Sequence, residues 1–271
     1  MKTSTPRTLH TALENRQLTR DGTTLHYRTG GAGPSVVLIP SLGRGCEDFD
    51  PLLPSLLQSG LRLILPEPRG IAGSAPLRAG ETLHDMAADV AAIIAAEDAA
   101  PAVLVGHAAG NWVARVLAHD RPDLTRAVAL VAAIVTNVVP EAVKASISSS
   151  FDMALTDAER LGHLRAVYFA AASDATVWLD GWWPAVSAAQ REAARLTKDQ
   201  DWIRVADRFP TLYVGAAEDV ISPPPELAVL RDRIGPQTDC VVIADAGHAL
   251  LPEQPAAVAR VLADWTLGLT G

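Results

Sequence analysis

Cysteine and long apolar runs are scarce in this chain, and each shortage excludes a class of protein. The two cysteines, Cys46 and Cys240, lie in separate predicted elements and give neither a disulfide framework nor a metal-ligand spacing. No apolar run approaches the roughly 20 residues that span a bilayer. Residues 1–17 are polar and lack the apolar core of a secretory signal. We therefore expect a cytoplasmic protein without a metal, a cofactor or a membrane partner.

Basic residues are also in deficit. The chain has 23 Lys and Arg against 31 Asp and Glu, a formal net charge of −8, and no basic cluster offsets it. Such a charge opposes binding to polyanions, which excludes nucleic acid as a partner.

At 271 residues, 49% of them hydrophobic, the chain can bury one large core. The expected ligand is a small molecule, and the expected assembly is a monomer or a homodimer.

Strand and helix patterns alternate along the chain. A hairpin is predicted around Asp21-Gly22, a pair typical of tight turns. Continuous apolar runs then indicate strands covered on both faces, separated by helical patterns at 47–57, 82–96, 111–118 and 255–267. This order predicts an α/β fold with a mostly parallel sheet and helices on both faces. The strands are predicted at residues 16–20, 24–27, 35–39, 61–65, 102–105, 127–131, 211–214 and 240–243.

The alternation of strand and helix patterns stops after the strand at 127–131. Helical patterns follow at 141–149, 157–170 and 184–196, with no strand pattern between them. We interpret residues 137–208 as a helical cap inserted into a core made of residues 1–136 and 209–271.

The stretch Leu104-Val-Gly-His-Ala-Ala-Gly-Asn-Trp112 is the most informative part of the sequence. A strand pattern leads into it and a helix pattern leaves it, and Gly106 and Gly110 let backbone pack against backbone at the turn. The stretch resembles the G-x-S-x-G nucleophile elbow of the α/β-hydrolase family, with Ala108 in the place of the serine. The resemblance covers nearly the whole chain and implies the α/β-hydrolase fold.

The same resemblance implies an acid and a histidine later in the chain, each after a strand. Asp219 follows the strand at 211–214, and His248 follows the strand at 240–243. A buried acid bonded to one ring nitrogen orients the histidine so that the other nitrogen can take a proton. Asp219 and His248 are therefore the predicted pair, and Glu218 and Asp245 are weaker alternatives, better explained as solvated loop charges.

The loop after the strand at 35–39 resembles the oxyanion loop of the family. Pro40 and Ser41 stand where the family usually has His-Gly, and Leu42 aligns with the donor residue. The resemblance implies that the backbone N–H groups of Leu42 and Ala109 hold a developing oxyanion. Residues 69–74 resemble a further loop of the family that is structural rather than catalytic.

Other residues near these loops are candidates for contact with substrate. Arg44 can pair with a substrate carboxylate or be solvated. His107, which precedes the centre of the elbow, packs or hydrogen-bonds nearby. The tryptophans can form a lid wall over an apolar ligand or pack between cap helices. Cys46 borders the oxyanion loop, and a thiol is a good nucleophile. However, the elbow residue and not this loop points at the histidine, which favours a buried structural role for Cys46. The substrate-binding candidates are Ser41, Arg44, His107, Trp178, Trp182 and Trp183.

Three accounts of Ala108 remain. In the first, the chain is a serine hydrolase in which alanine has replaced the nucleophile. In the second, alanine is native and His248 deprotonates a water, or a substrate proton as in the cofactor-free dioxygenases and lyases of the family. In the third, the protein binds a ligand without turnover, although a complete His248 and Asp219 pair counts against this. The expected function is an enzyme, of hydrolase type, acting on a small, largely apolar ester, lactone or related carbonyl compound.

Overall fold

A computed structural model describes residues 13–135 and 138–269. Residues 1–12, which belong to the polar stretch without a predicted secretory signal, lie outside these ranges. The predicted boundary at residues 136 and 137 also lies outside them. None of the described helices is both long and apolar enough to cross a bilayer. The strands are β1 (Glu14–Arg20), β2 (Thr23–Gly31), β3 (Ser35–Ile39), β4 (Arg62–Pro66), β5 (Ala102–His107), β6 (Thr125–Val131), β7 (Thr211–Ala216) and β8 (Thr238–Ile243).

These strands form one sheet in the order β1-β2-β4-β3-β5-β6-β7-β8. β2 pairs antiparallel with both β1 and β4, and the remaining neighbours are parallel. The predicted hairpin, the α/β class and the mostly parallel sheet are therefore confirmed. The helices are α1 (Leu53–Gln58), α2 (Leu83–Ala96), α3 (Gly110–Asp120), α4 (Glu141–Ser150), α5 (Asp157–Val167), α6 (Pro184–Leu196), α7 (Leu227–Ile234), α8 (Leu250–Glu253) and α9 (Pro255–Gly268).

Both faces of the sheet are buried, because side chains alternate along each strand. In β3, Val37 and Ile39 pack in one core cluster, while Val36 and Leu38 pack in the other. The first cluster includes residues of α2, α3 and α7, and the second includes residues of α1, α8 and α9. The helices on both faces follow from this alternation.

Three helix predictions differ from the structure. The helix predicted at 47–57 is a 3₁₀ segment at Cys46–Leu52 followed by α1, and Pro51 lies within the 3₁₀ segment, where it removes a backbone donor. The helix predicted at 157–170 ends at Val167, because the carbonyl of Tyr168 accepts a hydrogen bond from the Ala249 N–H at 2.8 Å. Finally, α7 and the short helix α8 were not predicted.

Between β6 and β7 the described residues form only helical elements and loops. Residues from this stretch pack in a third cluster that includes Leu164, Tyr168, Trp178 and Trp182, together with Ala249 from the loop after β8. The helices α4, α5 and α6 are called the insert helices below.

Candidate active site

The turn between β5 and α3 is held in a backbone conformation that few residues adopt. Ala108 has a φ of 44°, in the left-handed region that is uncommon for non-glycine residues. Its N–H donates to the Val131 carbonyl at 2.8 Å. The side-chain amide of Asn111 donates to the Ala108 carbonyl, and Asn111 Oδ1 accepts from Arg115 at 2.5 Å. These contacts fix a sharp strand-to-helix turn with Ala108 at its centre.

Glycine is required on both sides of this turn. A Cβ at Gly106 would lie 2.5 Å from the backbone nitrogen of Asn111, and one at Gly110 would lie 2.3 Å from the Ile39 carbonyl oxygen. Both contacts are with backbone atoms, which cannot rotate away. The G-x-x-x-G spacing of the sequence therefore reflects close packing of α3 against β3 and β5.

Replacing Gly110 with alanine is expected to destabilise the protein by about 1–3 kcal/mol, the usual cost of forcing atoms into a packed core. The matched control is Gly162→Ala in α5, where an added Cβ meets nothing within 4 Å. That change is expected to stabilise the helix by about 0.5–1 kcal/mol. Urea unfolding of the three proteins measures both effects. Equal midpoints for Gly110→Ala and the parent would contradict this account of the turn.

His248 and Asp219 form a buried pair at the ends of β8 and β7. His248 Nδ1 lies 2.8 Å from Asp219 Oδ2. Asp219 Oδ1 accepts the backbone N–H groups of Ile221 and Ser222, each at 2.8 Å, and the Ser222 hydroxyl donates to Oδ2 at 2.6 Å. Burial alone would raise the pKa of Asp219, but His248 and these donors lower it below its usual value. Asp219 is thus ionised and holds the proton of His248 on Nδ1, which leaves Nε2 as the basic nitrogen.

His107 packs against His248 and hydrogen-bonds to its backbone. Its Nε2 lies 3.2 Å from the His248 carbonyl oxygen, and the ring centroids are 5.9 Å apart. Burial, followed by the nearby His248, lowers the pKa of His107 to about 3, so its ring is neutral and donates this hydrogen bond. His107 is fully buried and is not on the wall of the cavity described next. It contacts the backbone of His248, and its contact with substrate stays a prediction.

A cavity of about 480 Å³ joins the elbow to the insert helices. Ala108 and His248 lie on its wall with Ser41, and this volume is within the range of small-molecule sites. On the opposite side the wall is aromatic. We call this the main cavity; its aromatic residues are Trp112, Phe151, Tyr168, Trp178 and Trp182.

Two backbone donors border the same cavity. Leu42 and Ala109 both line it, and within the described residues their N–H groups have no hydrogen-bond acceptor. Ala109 precedes the first residue of α3, where the helix dipole favours negative charge. The neighbouring Gly43 N–H donates to Gln190 Oε1 at 2.7 Å, which ties the loop to α6. Gln190 was not predicted as a site residue, because no local pattern marks it. A smaller cavity of about 50 Å³ also borders Leu42 and Ala109.

Arg44 lies on the wall of the main cavity, and each of its three guanidinium nitrogens donates a hydrogen bond within the protein. Its Nε and Nη2 donate to Asp48 at 3.0 and 2.5 Å, and its Nη1 donates to the Asp180 carbonyl at 2.7 Å. The guanidinium carbon lies 4.6 Å from the Trp178 ring and 4.7 Å from the Trp182 ring. Arg44 is buried rather than solvated, and its contact with a substrate carboxylate stays a prediction. It holds the two tryptophans in place.

The three predicted tryptophans do not share one role. Trp178 and Trp182 line the main cavity, whereas Trp183 is 42% exposed and lies off its wall. The backbone N–H of Trp183 donates to the Gly43 carbonyl at 2.9 Å. Contact between Trp183 and substrate therefore stays a prediction, without support from the lining of the main cavity. Tyr168, which was not predicted, takes a place on the wall, with its ring 5.8 Å from that of His248.

Cys46 and the alternative acids lie away from this chemistry. The Cys46 thiol donates to Glu67 Oε1 at 2.7 Å. Burial, then the charge of Glu67, raises the pKa of the thiol, so it stays protonated and is a poor nucleophile. Glu218 and Asp245 are exposed in the loops that carry Asp219 and His248. In the described residues no three His, Cys, Asp or Glu side chains are grouped as metal ligands.

Comparisons with known proteins identify the family and support the fold. A sequence profile of the alpha/beta hydrolase family matches residues 36–261. A protein provisionally named carbamate hydrolase RutD, from Variovorax paradoxus (strain S110), is 39% identical over 110 residues, 40% of this chain and 41% of the relative. A non-heme haloperoxidase from Rhodococcus erythropolis is 34% identical over 110 residues, 40% of each chain. These matches thus span about two fifths of each relative.

Solved structures resemble the chain over a greater length. A thermophilic esterase from Thermogutta terrifontis superposes with a TM-score of 0.75 and 21% identity, covering 94% of this chain and 99% of the esterase. At that identity the likeness concerns the fold.

Proposed function

The chain belongs to the alpha/beta hydrolase family, and from this membership we propose that it acts on a small, largely apolar ester, lactone or related carbonyl compound without a covalent intermediate. One observation carries the proposal. A histidine oriented by a buried carboxylate shares the main cavity with an elbow residue, Ala108, that has no nucleophilic atom. A base is therefore in place, and the atom it would activate must come from water or from the substrate.

In the proposed reaction, water occupies the space beside Ala108 where a serine side chain would project. His248 Nε2 takes one proton from this water as the oxygen forms a bond to the carbonyl carbon. The N–H groups of Leu42 and Ala109 stabilise the negative charge on the carbonyl oxygen. The C–O bond of the leaving group then breaks as His248 returns the proton to the leaving oxygen, which gives an acid and an alcohol. Asp219 stabilises the imidazolium throughout.

The insert helices have a proposed role as a cap, with boundaries at residues 137 and 208. Tyr168, Trp178 and Trp182 come from this stretch and face the core across the main cavity. An aromatic wall favours an apolar substrate and limits the entry of water. The hydrogen bond from Gly43 to Gln190 couples this cap to the loop that carries Leu42.

A second candidate reaction uses the same base on a substrate proton, as in cofactor-free lyases and dioxygenases. The aromatic wall favours it, because apolar surface limits the entry of the water that hydrolysis would consume. Under this proposal His248 is still essential, but the activity does not depend on bulk water as a reactant.

Replacing His248 with alanine is expected to lower turnover at least about 100-fold, the usual contribution of a positioned base. The assay is a panel of activated esters and lactones with the parent protein. The matched control is His119→Ala, near the carboxyl end of α3 and off the wall of the main cavity, which is expected to leave the rate unchanged. Turnover that survives His248→Ala would overturn the proposal, and retention of the melting temperature would show that the variant folds.

A further inference from the structure

Charged side chains line the main cavity unevenly. Three cations, Arg44, Lys144 and Arg191, share its wall with a single carboxylate, Glu141. Lys144 lies 3.2 Å from Glu141, and Arg44 is neutralised by Asp48 behind it. These two pairs leave the charge of Arg191 in excess, so the cavity wall is positive in a chain of net charge −8.

Arg191 has no acidic partner of its own. It is an exposed residue of α6, and in the described residues its contacts are a 3.4 Å hydrogen bond to Ser187 Oγ and a position 5.9 Å from the Phe151 ring. Every Asp and Glu of the sequence falls within the described ranges. No acidic side chain elsewhere in the chain is therefore left to neutralise this guanidinium.

A continuous aromatic path leads from Arg191 to the proposed base. The Phe151 ring packs edge-on against Trp182 at 4.7 Å, Trp182 lies 5.5 Å from Tyr168, and Tyr168 lies 5.8 Å from His248. Burial raises the pKa of Tyr168, and the charge of Arg191 opposes that rise, which places the guanidinium within electrostatic reach of the cavity interior. The wall thus has a basic residue near one end and a cation at the other, with apolar surface between them.

We infer that the ligand is an apolar compound with a free carboxylate separate from the carbonyl that reacts, and that Arg191 binds this carboxylate. The position of the reacting end rests on the proposed function. The carboxylate end rests on the unpaired cation and the aromatic path. A guanidinium matches a carboxylate with two parallel N–H donors, and such charge-assisted bonds are stronger than neutral ones. The negative charge of the whole chain repels anions, so this local cation has to supply the attraction.

The test measures binding rather than turnover. The probes are ω-phenylalkanoates with two to six methylene groups and the matching neutral carboxamides, titrated calorimetrically into the full chain. We expect the parent to bind the best-fitting acid about 10- to 100-fold more tightly than its amide. Arg191→Met should remove this preference, and Arg191→Lys should retain part of it. Because Arg191 is exposed, its replacement is expected to leave the melting temperature unchanged.

Two controls separate Arg191 from its neighbours. Arg195→Met removes an exposed arginine one turn later on α6, paired with Glu192 at 2.6 Å and off the cavity wall, and should keep the preference. Lys144→Met should reduce the preference less than Arg191→Met does. Equal affinity for acid and amide in the parent, a preference that survives Arg191→Met, or no binding of either series would overturn the inference. A preference for acids in a protein without esterase activity would instead contradict the proposed function alone.

Discussion

Ala108→Ser is expected to make this protein hydrolyse esters rapidly through a covalent acyl-enzyme. The left-handed backbone at position 108, the base His248 and the two backbone donors would then surround a hydroxyl. In enzymes where these groups act together, the serine accounts for about 10⁶ in kcat. The measurement is the release of 4-nitrophenol from short-chain esters, where a burst equal to the enzyme concentration reports acylation and mass spectrometry reports the acyl adduct.

The control for this gain is the double variant Ala108→Ser with His248→Ala, which should lose both the burst and the rise in rate.

The same experiment distinguishes between the interpretations of Ala108. If alanine is the working residue, the new hydroxyl takes the place of water and the parent's own activity falls even as the burst appears. If the chain is a serine hydrolase without its serine, every activity rises together. A serine variant with no burst and no rise would mean that position 108 and His248 do not meet.

The elbow and the acid-histidine pair were predicted from the resemblance to the alpha/beta hydrolase family, and local signals support both. Two glycines four residues apart mark a tight turn, and in the structure a Cβ added at Gly106 or Gly110 would lie 2.5 or 2.3 Å from a backbone atom. Asp219 and His248 each follow a buried strand, and parallel strands bring their carboxyl ends to one edge of the sheet. Strand periodicity and turn chemistry depend on a few neighbouring residues, so both can be predicted from a short stretch of sequence.

The wall opposite the elbow was not predictable in the same way. Trp182 and Trp183 are adjacent, yet one lines the main cavity and the other is 42% exposed, because the direction of each side chain depends on how α6 meets the core. Tyr168 follows α5 and reaches the wall only because that helix stops where its backbone pairs with Ala249. Contacts between distant segments decide both cases.

Arg44 is an intermediate case, because its ion pair has a local signal in the sequence whereas its burial has none. Asp48 lies four residues later, a separation at which opposite charges meet on a helical turn, and the two pair at 2.5 Å. The separation indicates an internal ion pair and argues against a free substrate contact. Burial of that pair between tryptophans, by contrast, depends on tertiary packing and has no local signature.

Asp219→Asn, made in the Ala108→Ser protein, is expected to lower kcat by about 10⁴. The amide has the shape of the carboxylate, and its oxygen can keep the hydrogen bonds from the N–H groups of Ile221 and Ser222. Its nitrogen, however, is a donor and would face His248 Nδ1, which places the ring proton on Nε2. With a proton already on Nε2, His248 cannot accept one from the serine, so acylation slows although the geometry is kept.

The matched controls for Asp219→Asn are Glu218→Gln and Asp245→Asn, which remove exposed carboxylates from the same two loops. Because water screens these charges, each control is expected to change the rate less than about threefold. The measurement is burst rate and steady-state kcat for one ester, with melting temperatures to show that all variants fold. If Asp219→Asn kept more than a tenth of the activity, or if a control lost as much as Asp219→Asn, the buried carboxylate would not be the group that orients His248, and the acid would have to be sought elsewhere in the chain.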